Sequence, residues 1–296
     1  MAGAGPDNAG TAGTLYVVST PIGNMGDFSF RAVETLKSVD VVLAEDTRHT
    51  RHLLDRYGVT TPLLSYHEHN EARMTPQVVA RLAAGESFAL VSDAGTPLLS
   101  DPGARLVRAA TDAGLTVTPI PGASALLAAL VACGIATDRF TFFGFLTRSG
   151  ADRRAALDEI TSLRHTAVLY ESPNRLADTL AELEKRGNAE RPAAVARELT
   201  KQFEEVRRGT VSALRAYYEG DPPRGEIVLV LGPAAPVEAS ESAVRDRVQA
   251  LRAAGMSARD AASAVAAELK VSKKLAYRLA QGSADSPAGA EGGEGE

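Results

Sequence analysis

Short apolar runs alternate along most of the chain with stretches of helical spacing, and Gly, Pro and small polar residues mark the joins. LYVVST, starting after Thr14, predicts a buried strand halted at Pro21, and Asp27 or Ser29 caps a helix over Phe30–Ser38. Val39–Ala44 predicts a second strand, a helix from Thr50 to Tyr57 stops at Gly58, and Pro62–Ser65 predicts a third strand. Thr75-Pro76 reads as a cap with proline at the first helical position, opening a helix to Ala84. Phe88–Ser92 and Thr116–Ile120 complete the strands, each followed by a turn and a helix, Ala104–Ala113 and Ser124–Ala132. Five strands alternating with helices predict a parallel α/β domain over residues 14–134.

The same alternation predicts a second α/β domain over residues 135–236. Its strands are FTFFGFL, TAVLYESP, AAVAREL and GEIVLVLG; its helices are Asp152–Leu163, Leu176–Lys185 and Val211–Tyr218. Periodicity alone leaves open whether some of these strands pair antiparallel. Residues 241–282 carry three short helical patterns, capped at Ser257 and Ser272, and predict a helix-turn-helix-like bundle. Residues 1–13 and 283–296 are rich in Gly with Ala or Glu, and are expected to be disordered.

Parallel sheets bind ligands at the carboxyl ends of their strands, which directs attention to the loops DAGTPLLSDPG and PGAS. Gly95 and Gly122 permit close backbone approach, and Asp93, Thr96, Ser100, Asp101 and Ser124 bring polar groups into apolar surroundings. The plainer reading makes Asp101 and Ser124 helix caps.

Charge adds a contrast. The formal charge of −5 divides into −1 over residues 1–13, about −4 over residues 14–240, +4 over residues 241–282 and −4 over the tail 283–296. The basic segment can meet phosphate, or can simply be a solvated face. A lone cysteine, Cys133, permits no disulfide within the chain and suits a reducing cytoplasm; the first 13 residues lack a signal-peptide pattern, and no apolar run reaches spanning length. The chain lacks G-x-G-x-x-G after a strand, the phosphate-loop motif and the G-x-S-x-G elbow, which sets aside the corresponding dinucleotide, NTPase and hydrolase sites. His49/His52 and His67/His69 lack the partners of a zinc site, so no metal is expected.

The segments STPIGN, AEDTRHT, YHEHNE, VSDAGTPLLSDPG, PIPGASA, GFL, YESPNR, RELTKQFEE and GE occur in that order between Ser19 and Glu226. Together they resemble the tetrapyrrole methylase superfamily, and within it the branch that methylates a cytidine 2′-hydroxyl in small-subunit (16S) ribosomal RNA. The resemblance implies an α/β, two-domain tetrapyrrole-methylase-like fold with a small C-terminal helical bundle. It implies S-adenosylmethionine as cofactor, small-subunit ribosomal RNA or the assembled subunit as partner, a homodimer, and a cytoplasmic location. By position, Pro21, Gly95, Thr96, Leu99, Ser124 and Ala125 border the cofactor, with Tyr170, Arg197 and Glu226 as walls from the second domain. Many tetrapyrrole-acting relatives carry Gly-Asp-Pro where this chain has Gly95-Thr96-Pro97, so a carboxylate role there passes to Asp93.

A ribose hydroxyl is a weak nucleophile, and a base or a cation beside it helps. Glu45, Asp46 and Arg48 in AEDTRHT, and Glu198 and Lys201 in RELTK, are the candidates for that role, as loop residues facing the cleft. Lys201 leads, on the argument that neighbouring cations lower a lysine's pKa. Arg48 or Arg197 can alternatively grip phosphate, and all these charges can instead pair with each other. His67, Glu68 and Asn70 are expected to contact RNA or close the cleft. The rival readings are a methylase of a tetrapyrrole precursor or a modified protein residue, and a non-catalytic RNA-binding scaffold.

Overall fold

A computed structural model of the chain describes residues 12–235, 240–269 and 271–281. They form two compact units that divide between Ala234 and Ala235. Apart from Ala12 and Gly13, the ends expected to be disordered lie outside the described residues; Gly13 donates its backbone N–H to the Leu82 carbonyl.

The first unit holds two five-stranded sheets. In the first, β1 (Thr14–Val18), β2 (Val41–Ala44), β3 (Leu63–Ser65), β4 (Phe88–Val91) and β5 (Thr116–Ile120) pair in the order β3-β2-β4-β1-β5, parallel throughout. The connecting helices are α1 (Phe30–Ser38), α2 (Thr47–Arg56), α3 (Glu71–Ala83) and α4 (Ala104–Asp112), and α5 (Ala125–Ala132) follows β5. Alternate residues of the central strands enter opposite cores. Val42, Ala44, Ala89 and Val91 pack on one side, and Val41, Leu43, Phe88 and Leu90 on the other. Burial on both faces is why these strands read as unbroken apolar runs.

The second sheet contains β6 (Phe140–Phe145), β7 (Thr166–Glu171), β8 (Pro192–Arg197), β9 (Glu205–Thr210) and β10 (Ile227–Leu231), in the order β6-β7-β10-β8-β9. Only β6–β7 is parallel; the other neighbours are antiparallel. One face packs against α6 (Ala151–Ser162), α7 (Pro173–Leu183) and α8 (Val211–Tyr218). On the other face, Val168, Ala194, Ala196, Val228 and Val230 meet Leu126, Ala129, Leu130 and Cys133 of the α5 segment. This shared core joins the two halves.

Three local expectations are corrected. Helix α2 starts at Thr47 because the Asp46 carboxylate accepts the Arg48 backbone N–H and caps it. Helix α3 starts at Glu71, so Pro76 lies inside it; a turn over His67–Asn70, closed by the Asn70 side chain, has already begun the winding. Strand β9 was not anticipated: its EVRRGT sequence is polar, as suits an edge strand.

The second unit is a bundle of α9 (Glu241–Ala253), α10 (Ala258–Glu268) and α11 (Lys273–Gln281) around Val244, Val248, Val265, Ala276 and Leu279. Hydroxyls of Ser240, Ser257 and Ser272 accept the first-turn N–H groups.

Candidate active site

Loops from both sheets meet around a cavity of about 360 Å³, within the range of small-molecule sites. The loop after β1 and the loop after β4 are joined by reciprocal backbone hydrogen bonds between Thr20 and Gly95. Thr96 ties in a third loop: its hydroxyl donates to the Ala123 carbonyl at 3.1 Å, leaving Ser19 Oγ to donate to it at 3.0 Å. Gly95, at φ 88°, needs its freedom twice, since a Cβ there would also sit 3.2 Å from Ile22 Cγ2.

Backbone strain gathers here. Among the described residues, positive φ at non-glycine positions occurs at Leu98, Ser100, Glu198 and Thr200, all in the loops after β4 and β8. Such conformations cost roughly 1–3 kcal/mol each and persist where surrounding structure over-determines them, commonly at functional sites.

Of the expected cofactor residues, Asp93, Gly95, Thr96, Leu99, Ser124, Ala125, Tyr170 and Glu226 line this cavity. Pro21 and Arg197 do not. Pro21 is buried one residue ahead of Ile22, which does line it. Arg197, at the end of β8, is held by Glu205 at 2.7 Å, and Glu205 also takes Arg207. That carboxylate keeps the guanidinium occupied.

The expected catalytic residues separate into two groups. Asp46 and Arg48 pair with each other at 3.0 Å in an exposed position off the cavity lining. The hydrogen bonds from Arg48 hold the Asp46 carboxyl down at about 2. Lys201 and Glu198 stand beside the lining residue Glu226: Lys201 Nζ donates to Glu198 Oε1 and Glu226 Oε2, each at 3.1 Å. Burial pulls the lysine pKa down, but its hydrogen bonds to the two carboxylates outweigh that and leave it raised. The argument for a lowered pKa therefore fails, because anions and not cations surround the ammonium. The loop is fixed across the cavity edge by the Asn24 N–H, which donates to Thr200 Oγ1 at 3.0 Å. Gly225 gives Glu198 its place, since a Cβ there would lie 1.9 Å from Oε1.

Asp101 is the residue the sequence reading undervalued. Gly103, not Asp101, is the residue preceding α4, and it offers no side-chain cap. Asp101 faces the cavity. Burial pushes its carboxyl up to about 6; Glu45 adds to the rise, a hydrogen bond with Ser92 opposes it, and Asp93 and Glu226 raise it further. Ser124 does not cap through its side chain either: its Oγ is buried, lines the cavity and has no hydrogen-bond partner. An orphaned hydroxyl in a cavity wall is an open contact for a ligand. Phe145, 59% exposed, and Tyr170 meet on the lining with ring centroids 5.3 Å apart and planes tilted by 57°.

A family model for tetrapyrrole (corrin/porphyrin) methylases matches residues 14–215. The chain belongs to the tetrapyrrole methylase family. A relative from a Synechocystis species, named ribosomal RNA small subunit methyltransferase I, is 47% identical to this tetrapyrrole methylase over 270 residues, covering 90% of this chain and 97% of the relative. A Bacillus subtilis protein of the same name is 41% identical over 272 residues, covering 90% and 93%. The methylase therefore falls in that branch of the family, and it is a methyltransferase.

Solved structures share its fold. Uroporphyrin-III C-methyltransferase from Thermus thermophilus, complexed with S-adenosyl homocysteine, aligns with a TM-score of 0.54 at 18% identity, over 74% of this chain and 97% of that one. A diphthine synthase aligns with a TM-score of 0.57 at 16% identity, over 74% and 89%.

Proposed function

We propose that this methyltransferase uses S-adenosylmethionine to methylate the ribose 2′-hydroxyl of a cytidine in small-subunit ribosomal RNA, acting in the bacterial cytoplasm as a homodimer. Support for the substrate class comes from the names of its relatives, and for the nucleotide and atom from the motifs described above. The observation that carries the reading is the two-sided cavity, whose carboxylates suit a positively charged cofactor.

The residues present fit that cofactor. Asp93, Asp101 and Glu226 supply negative charge around the cavity, the Ser124 hydroxyl is unpartnered, and Leu99, Ile22 and Val228 provide apolar wall. S-adenosylmethionine, when bound, supplies an electrophilic methyl group on a cationic sulfur. The protein's contribution is then alignment, exclusion of water and custody of one proton. The 2′-oxygen loses its proton as it takes the methyl group, and the Asp101 carboxylate, titrating near pH 6, is suited to accept it. Lys201, kept charged by Glu198 and Glu226, steadies negative charge on the reacting oxygen or holds a neighbouring phosphate. Arg48 and Asp46, being mutually paired and exposed, serve RNA contact and helix capping and not chemistry.

The test incubates the protein with methyl-labelled S-adenosylmethionine and small subunits from cells lacking this activity, then digests the RNA in alkali. A 2′-O-methyl group blocks alkaline cleavage, so the label should emerge in a cytidine-containing dinucleotide. Label in a base, in a tetrapyrrole precursor, or nowhere overturns the reading.

A further inference from the structure

The bundle of the second unit contains a separate open cleft of about 500 Å³, lined by Arg259, Ala262 and Ser263 of α10 and by Lys273, Lys274 and Tyr277 of α11. The lining residues recur at three- and four-residue spacing, so each helix turns one face toward the same opening. Three cations, the Ser263 hydroxyl and one aromatic ring, the ring 42% exposed, make up its polar equipment.

The charges of this bundle are not evenly neutralised. Arg247 pairs with Glu268 at 3.0 Å, and Arg278 pairs with Glu241. Asp260 is taken up by the Ser257 cap. Arg252 donates to the Ala280 carbonyl. Among the described residues, no carboxylate pairs with Arg259, Lys273 or Lys274. Arg245 and Arg252 lie outside the cleft, likewise without a carboxylate among the described residues, while three such cations gather at the cleft, beside the one tyrosine of the unit.

We propose that this cleft is an RNA-docking site that takes an unpaired nucleotide segment, with Arg259, Lys273 and Lys274 on its phosphates and a base stacked on Tyr277. A ring beside cations is the arrangement that holds single strands, because every base offers a π-face and every linkage a phosphate. A duplex keeps its bases stacked on one another and offers Tyr277 no face. The proposal rests on the reading of the chain as an RNA methyltransferase and gives that enzyme a second foothold on its substrate.

The test measures fluorescence anisotropy of a short unpaired RNA and of an RNA duplex with the full-length protein between 50 and 200 mM salt. Removing Lys273 and Lys274 together (K273A/K274A) should flatten the salt slope for the single strand by about 1.4, at ~0.7 per phosphate contact. Tyr277→Ala should weaken single-strand binding by roughly 5- to 150-fold while Tyr277→Phe keeps it, and neither should alter duplex binding. Arg245→Ala removes an exposed charge of α9 outside the cleft and serves as control; thermal melting verifies that each variant is folded. The proposal is overturned if the Tyr277→Ala protein binds the single strand like the parent, or if Arg245→Ala costs as much as a cleft lysine. Methyl transfer is measured in parallel: its absence from the parent protein, with single-strand binding intact, defeats the functional reading and leaves the cleft standing.

Discussion

At the scale of single residues, two charged side chains carry the testable consequences: Asp101 on the cavity wall and Lys201 beside its lining residue Glu226. Asp101 is shared between its protonated and ionised forms near pH 6, because burial and the neighbouring acids Glu45, Asp93 and Glu226 disfavour its anion. A positively charged cofactor favours that anion. Affinity for S-adenosylmethionine should therefore be higher at pH 7.5 than at pH 5, falling as pH drops through 6, and calorimetry of the Asp101→Asn protein should show that dependence flattened. The same raised pKa makes the folded protein hold a proton that the unfolded chain releases. Asp101 thus favours the folded state least above pH 6, and its contribution improves as pH falls from 6 towards 3.8. Lys201 behaves oppositely, staying charged throughout this range. Lys201→Met should lower kcat by roughly 10²–10³-fold with cofactor affinity little changed, if it acts on developing charge; an equal loss in both measurements would show that it only holds the loop.

Among elements, the second half is bound together by a polar chain that runs beneath its helices. Arg153 of α6 donates to Glu182 at 3.0 Å and to Thr179 Oγ1 at 2.9 Å, both on α7. The Thr179 hydroxyl then donates to Glu171 Oε2 at 2.6 Å, at the end of β7, where Glu171 also meets Arg175. Glu171 is 1% exposed and lines the cavity, so its charge is tolerable only while these partners remain. Thr179→Val keeps the shape but deprives both Glu171 and Arg153 of a hydrogen bond. It should destabilise the protein by roughly 1–3 kcal/mol in urea denaturation, while Thr179→Ser should cost far less. A smaller loss for valine would mean that water replaces the hydroxyl.

At the scale of the whole molecule, α5 has unusual duties. It is apolar on all sides because one face packs on the second sheet, yet Leu127 and Val131, one turn apart, are 53% and 83% exposed. In the proposed homodimer, a second copy of the chain would cover this face and take these apolar side chains out of water. Sedimentation velocity should show the parent protein at twice the monomer mass, and Val131→Glu should shift it towards the monomer. A parent protein that sediments as a monomer at micromolar concentration would sink the dimer.

The strands of the first half, the bundle and most loop positions of the cavity could be read from the chain alone, since each depends on neighbours in sequence. Burial on both faces writes itself as a continuous apolar run in β2 and β4, and a turn that must reach left-handed backbone writes itself as Gly95. What tertiary structure decided are the properties set by distant partners. The order β6-β7-β10-β8-β9 and its antiparallel pairs leave no periodic trace. Lys201 has its pKa raised by hydrogen bonds to Glu198, three residues away, and to Glu226, 25 residues away, and Asp101 owes its raised pKa to burial and to Glu45, 56 residues earlier. Spacing along the chain records which way a side chain points; only folding determines which charges it then faces and how much water is left between them.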